Sequence, residues 1–190
     1  MAVATALAGA GATLAVNGHS ADRLDKALKT YENKGIDAKG YLFDVTDEQA
    51  VAEGVARIER EAGPIDILVN NAGIIKRIPA LEMTLPEWNE VIATDLTSPF
   101  LMSRAVAAGM IRRGHGKIVN MCSMMSEVGR SSVTAYAAAK GGLKMLTKNL
   151  ATEWAKHNIQ VNGIGPGYFA TEQTLSLIHI SEPTRPEPIS

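Results

Sequence analysis

Three things are scarce in this sequence: cysteine, an excess of charge of either sign, and any apolar run long enough to cross a membrane. The one cysteine, Cys122, allows no internal disulfide, which fits a reducing compartment and predicts a cytoplasmic protein. Lys and Arg number 19 against 20 Asp and Glu, for a formal net charge of −1. Without a basic excess to displace counterions from a phosphate backbone, nucleic acid is not an expected partner. Met1 to Ala21 carries no charged side chain, but it lacks the positive start of a signal peptide. Its nearly all apolar or small part, Ala2–Val16, is short for a membrane span and contains Gly9 and Gly11. Of 190 residues, 46% are hydrophobic and 21% charged, which is globular composition with room for one domain.

The remaining pattern alternates short apolar runs with amphipathic ones. A buried helix end, Ala2–Ala8, stops at glycine and leads to a buried strand, Ala12–Val16. A helix from Ser20 to Asn33 follows, with Ser20 as N-cap, then a strand over Ala38–Phe43. Thr46 and Gln49 form a capping-box pattern for a helix ending at Ala62, before Gly63-Pro64. Ile65–Val69 reads as a strand, and Thr84 with Glu87 caps a helix reaching Met110. A strand at Lys117–Cys122, a helix at Ser132–His157 and a strand at Ile159–Ile164 complete the series. Strands and helices in strict alternation predict a doubly wound α/β fold, a Rossmann-type parallel sheet with its site at the carboxyl ends of the strands.

Several residues at those strand ends carry chemistry. Tyr136 and Lys140 lie four apart, on one face of a helix. A neighbouring ammonium favours the phenolate, and bringing a phenol from about 10 toward 7 needs about 4 kcal/mol. A phenol tuned in this way works as general acid or base near neutral pH. Ser123 follows the strand Lys117–Cys122, where a hydroxyl can hold a substrate oxygen for Tyr136. The alternative for Ser123 is a strand-end serine bonded to backbone, and Ser126 is a close decoy. After the strand Ile65–Val69 come Asn70, Asn71, Ala72 and Gly73, whose amides can pin strand ends and whose glycine admits a close ligand. Asp44 and Val45 end the strand Ala38–Phe43, where a carboxylate can accept a bond from an adenine amine or simply favour a helix start.

Asn70-Asn71-Ala72-Gly73, Ser123, Tyr136-Ala-Ala-Ala-Lys140 and Gly165-Pro166-Gly167, in this order, resemble the short-chain dehydrogenase/reductase family from Met1 to about Thr174. The resemblance implies that Tyr136 is the acid/base, that Lys140 lowers its pKa and binds a nicotinamide ribose, and that Ser123 orients the reacting oxygen. It implies NAD or NADP as cofactor, bound by Asp44, Val45, Asn70, Asn71, Ala72, Gly73, Tyr136, Lys140 and a loop, Pro166 to Thr171, containing Gly167. No metal is needed, because the hydride moves directly between cofactor and substrate. Gly73–Pro79, Cys122–Gly129 and Ala135–Thr147 are most similar to the family's sugar-acid dehydrogenases. Lys76 and Arg77, with Arg130 beyond Ser123, would suit the carboxylate of such a small-molecule substrate, unless they are solvated surface charges. A carrier-protein 3-oxoacyl reductase of the same family is the alternative, and it predicts a basic docking patch that Lys76 and Arg77 alone do not make.

The pattern also departs from the family. The glycine-rich turn between its first strand and helix is missing, and Gly9 and Gly11 end a helix instead of opening one. The family's first strand and its last strand with the substrate-covering segment are expected to be missing, which predicts a sheet truncated at both ends. On that reading 1–174 is a partial dinucleotide-binding domain and this chain alone an inactive fragment, its intact parent a homotetramer. Leu175–Arg185 reads like a translated sequencing-library adapter, which makes 175–190 a non-native tail and removes His179 from consideration. Asp95 stands where many family members carry Asn. The strand Ala12–Val16 ends in Asn17-Gly-His-Ser20 with no carboxylate to read a ribose, which leaves NADP open, aided by His19.

Overall fold

A computed structural model describes residues 2–167. The loop at 168–171 and the tail at 175–190 lie outside the described residues. The elements run α1 (Ala2–Gly9), β1 (Leu14–Gly18), α2 (Ala21–Glu32), β2 (Ala38–Leu42), α3 (Glu48–Ala62), β3 (Ile67–Asn70), α4 (Leu85–Ile92), α5 (Ser98–Arg113), β4 (Gly116–Met121), α6 (Thr134–Trp154) and β5 (Ile159–Ile164). The alternation is as expected, and every ladder is parallel.

The strands form two groups. β1 pairs with β2, from Leu14↔Ala38 to Gly18↔Leu42. β3, β4 and β5 form a second sheet in that order, with Asn70↔Asn120 and Val119↔Asn162 in register. Among the described residues no ladder joins β1 to β3. The main core lies on the three-stranded sheet, where Leu68, Ile118 and Ile159 meet Val106 and Met110 of α5 and Leu150 of α6. α3 ties the two groups together. Its Val51 and Val55 enter this core with Phe43 from the end of β2, and Gly54 backs onto Phe43 so closely that a Cβ would stand 2.6 Å from the ring.

Four local expectations are corrected. α1 has no buried residue, because a helix this short finds no second apolar surface among the described elements to cover it. β1 begins two residues later than expected, since Gly11 at φ 88° and the residues after it make the turn. Asp47, not Thr46, caps α3 by accepting from Ala50 N at 3.0 Å, because Thr46 is already bonded through N and Oγ1 to Asp44 Oδ1. The helix expected from Thr84 to Met110 is broken by a π-helical turn, Ala93–Thr97. Pro99 explains the turn: it has no N–H, and its ring collides with the carbonyl four residues back in a regular α-helix. The Thr84–Glu87 capping box forms as expected, with Glu87 Oε2 2.9 Å from Thr84 N.

Candidate active site

The site is built on the carboxyl ends of β3 and β4 and the first turns of α6. Asn70 and Asn120 are register partners with almost no exposure, so their amides must satisfy each other. Asn70 Nδ2 donates to Asn120 Oδ1 at 2.8 Å and to Ser103 Oγ at 3.1 Å. Asn120 Nδ2 donates in turn to Thr147 Oγ1, which donates to Leu143 O. This chain of bonds locks two strand ends to α5 and α6. Asn70 is therefore a pin between strand ends, and Asn71, Ala72 and Gly73 beside it are exposed. Asn120, Ser103 and Thr147 carried no sequence signal of their own.

The second cluster is a buried ion pair. Lys140 is 4% and Asp95 0% exposed, and Nζ stands 3.1 Å from Asp95 Oδ2. The contact is electrostatic: Oδ2 has no aligned hydrogen bond, whereas Oδ1 accepts from Ile74 N at 2.7 Å. Burial pushes the Asp95 carboxyl above its ordinary value, and the Lys140 charge and the Ile74 N–H pull the other way. The π turn aims Asp95 inward. Gly73 lets the loop after β3 approach, since a Cβ there would lie 3.0 Å from Asp95 Oδ2 and 3.5 Å from Lys140 Nζ. Lys140 also donates to Met121 O at 2.9 Å, at the end of β4. Of its three N–H bonds, one is spent on Met121 and one faces Asp95, which leaves one for a ligand. Its Nζ lies 5.5 Å from the centroid of the half-buried Tyr136 ring.

Ser123 and Ser126 separate here. Ser123 Oγ accepts from Met125 N at 3.1 Å, so the bland backbone role is real, yet its own O–H remains free to donate to a ligand oxygen. Ser126 accepts from Ser123 N and donates to Lys140 O, which spends its only O–H. Pro166 and Gly167 follow β5, and Gly165 brings that segment against Ser123, with a Cβ placed 3.7 Å from Ser123 O.

The outlying candidates differ among themselves. Asp44 accepts from Thr46 N and Oγ1 at 2.8 Å, bonds that hold its carboxyl below the usual range; Oδ2 stays open. The Val45 side chain packs against the core. Asn17 spends its amide on Tyr41 O and Phe43 O, and His19 is exposed nearby. Lys76 pairs with Glu90 at 2.5 Å, while the exposed Arg77 has no ion pair among the described residues. A nicotinamide cofactor fits this donor set: the spare Lys140 N–H, the exposed Asn71–Gly73 backbone and the open Asp44 oxygen all suit a ribose or amide.

A tyrosine and a lysine on one helix, a serine at the adjoining strand end and a parallel sheet beneath them define an oxidoreductase site of the Rossmann class. The sequence matches the short chain dehydrogenase family over residues 1–179, and the chain belongs to that family. It is 62% identical over 175 residues to a 2-dehydro-3-deoxy-D-gluconate 5-dehydrogenase from Formosa agariphila, covering 92% of this chain and 66% of the relative. It is 48% identical over 178 residues to the gluconate 5-dehydrogenase of Gluconobacter oxydans, covering 94% and 70%. The crystal structure of a gluconate 5-dehydrogenase from Burkholderia cenocepacia in complex with NADP and tartrate superposes with a TM-score of 0.86 at 39% identity, covering 92% of this chain and 69% of that one. The chain thus spans about two thirds of the length of these relatives.

Proposed function

We propose that the protein is an NAD(P)-dependent dehydrogenase that interconverts gluconate and 5-keto-gluconate. The observation that carries this reading is the Tyr136 hydroxyl, which makes no hydrogen bond among the described residues, on the same helix face as the buried Lys140 ammonium. In the oxidising direction Tyr136 Oη takes the substrate hydroxyl proton, the carbon–oxygen double bond forms and the carbon–hydrogen bond breaks. Ser123 donates its free O–H to that oxygen and holds it in line. Lys140 would hold the ribose through its spare N–H, with its Nζ 5.5 Å from the centroid of the Tyr136 ring. A nicotinamide held by the spare Lys140 N–H and the exposed Asn71–Gly73 backbone would supply the hydride acceptor.

Arg77 is the better candidate of the two loop cations for the substrate carboxylate, because Lys76 is tied to Glu90. The lack of a carboxylate at the end of β1 leaves NADP as open as NAD, and the exposed His19 favours a 2′-phosphate when protonated. Exposed Phe100 on α5 and Met145 on α6 support assembly through these helices, as in a homotetramer. The single cysteine supports a cytoplasmic setting.

A second reading, 2-dehydro-3-deoxy-D-gluconate as the substrate, is favoured by the name of the 62% identical relative. Nicotinamide absorbance, followed with gluconate, 5-keto-gluconate, 2-dehydro-3-deoxy-D-gluconate and a 3-oxoacyl thioester against NAD(H) and NADP(H), separates them. Turnover is expected on the sugar acids; turnover confined to the thioester overturns the reading in favour of an acyl reductase.

A further inference from the structure

The segment after β4 is fastened to α6 at two successive turns. Glu127 pairs with Lys144, and one turn earlier Ser126 reaches Lys140. The first contact is a surface ion pair with both side chains partly solvated, so it restrains little. The second is of a different kind. Ser126 Oγ accepts from Ser123 N at 3.2 Å and donates to Lys140 O at 2.9 Å, so one hydroxyl spans the backbones of two residues of the proposed machinery.

We propose that Ser126 is a positioning residue, which sets the Ser123 hydroxyl relative to Tyr136 and Lys140 and thereby sets kcat. The proposal rests on the reading of Ser123 given above. The single O–H of Ser126 is spent on Lys140 O, so it has no proton to donate to a substrate oxygen and acts through its neighbours. Its leverage on Ser123 is direct, because the bonded N–H is on the residue whose Oγ must meet the substrate. Ser123 is extended, at φ −157° and ψ 163°, and its Oγ already caps Met125 N. With N and Oγ both fixed, the free O–H turns only about its own Cβ–Oγ bond. Removing the Ser126 hydroxyl frees the N end of this frame and leaves a half-buried N–H without its partner.

The test is a mutant cycle in the intact enzyme. Ser126→Ala is expected to lower kcat about tenfold to a hundredfold, the scale set by misplacing a catalytic group by about 1 Å, with KM and cofactor Kd unchanged. Ser126→Thr, which keeps the hydroxyl, restores most of the loss. Ser126→Cys, a near-isostere with weaker bonds, falls between Ser and Ala and serves if the alanine variant does not fold. In a Ser123→Ala background, Ser126→Ala changes kcat less than about twofold, because the group it positions is gone. Multiplicative losses in the double variant overturn the proposal, as does wild-type kcat in Ser126→Cys, or a loss confined to Tm. If Ser123→Ala alone keeps wild-type kcat, the reading of Ser123 itself fails, and the proposal with it.

Discussion

β1–β2 and β3–β4–β5 are made from the same alternation of strand and helix, but they handle polar atoms in opposite ways. Every buried polar or charged side chain among the described residues falls between Asn70 and Thr147, on the three-stranded side. There the amides of Asn70 and Asn120 and the hydroxyl of Thr147 complete one another's bonds, and Asp95 stands against Lys140. The two-stranded side is plainer. Its most deeply buried side chain, Tyr41, is 1% exposed and has no partner for its hydroxyl. Buried polar groups cost free energy unless they are bonded or paired, so a dense network, in which Asp95 Oδ2 alone faces a charge instead of a hydrogen bond, is found where strand ends must be held in place. The two-stranded side has only to offer an edge and an exposed carboxylate, Asp44.

Four substitutions sharpen or break this contrast. The largest effect is expected at Tyr136→Phe, which lowers kcat by about 10²–10⁴-fold while cofactor affinity, read by fluorescence titration, is retained. A smaller loss would leave no special chemistry on the three-stranded side. Next is Asn120→Ala, which strips partners from the Asn70 amide and Thr147 hydroxyl at about 1–3 kcal/mol for each orphaned group, measured by urea unfolding. Tyr41→Phe has the opposite sign: it deletes an unbonded buried hydroxyl and raises stability by about 1 kcal/mol. If both variants destabilise alike, the two sides do not differ as described. The smallest effect concerns pH. The Asp44 carboxyl is held below its ordinary value by the Thr46 N–H and hydroxyl, so its contribution is present above about 3.8 and is lost as pH falls through its folded value. Asp44→Asn therefore flattens the decline of the urea midpoint between about pH 5 and about pH 3, by a modest amount at so exposed a site.

The order of elements, the parallel sheet and the grouping of Ser123, Tyr136 and Lys140 at one end of it were legible in the sequence, because strand and helix periodicities differ and the motifs sit at strand ends. Less legible were the features set by competition between equivalent groups. Thr46 and Asp47 are both good caps, and only the Asp44 contact decides which is left over. Asn70 carried a ligand signal, but its inward direction depends on its register with Asn120. The contact between Asp95 and Lys140 joins residues far apart in sequence, with no local pattern linking them. Ser123 and Ser126 are alike in sequence, which does not say which O–H is already spent on backbone. Pro99 marks the π turn, but the helical pattern runs through it without a break.

That turn also holds a spare residue. A π turn is an α-helix holding one residue too many, and the wide turn absorbs it, so the helix on either side keeps its phase. Losing a single residue between Ala93 and Thr97 would let the helix close up with Phe100 and Leu101 still facing as they do. The change would be local: Asp95 would lose the bulged position from which it faces Lys140. The electrostatic balance of the site thus hangs on one extra residue in a helix, and a lineage could rewrite it by a deletion as readily as by changing a side chain.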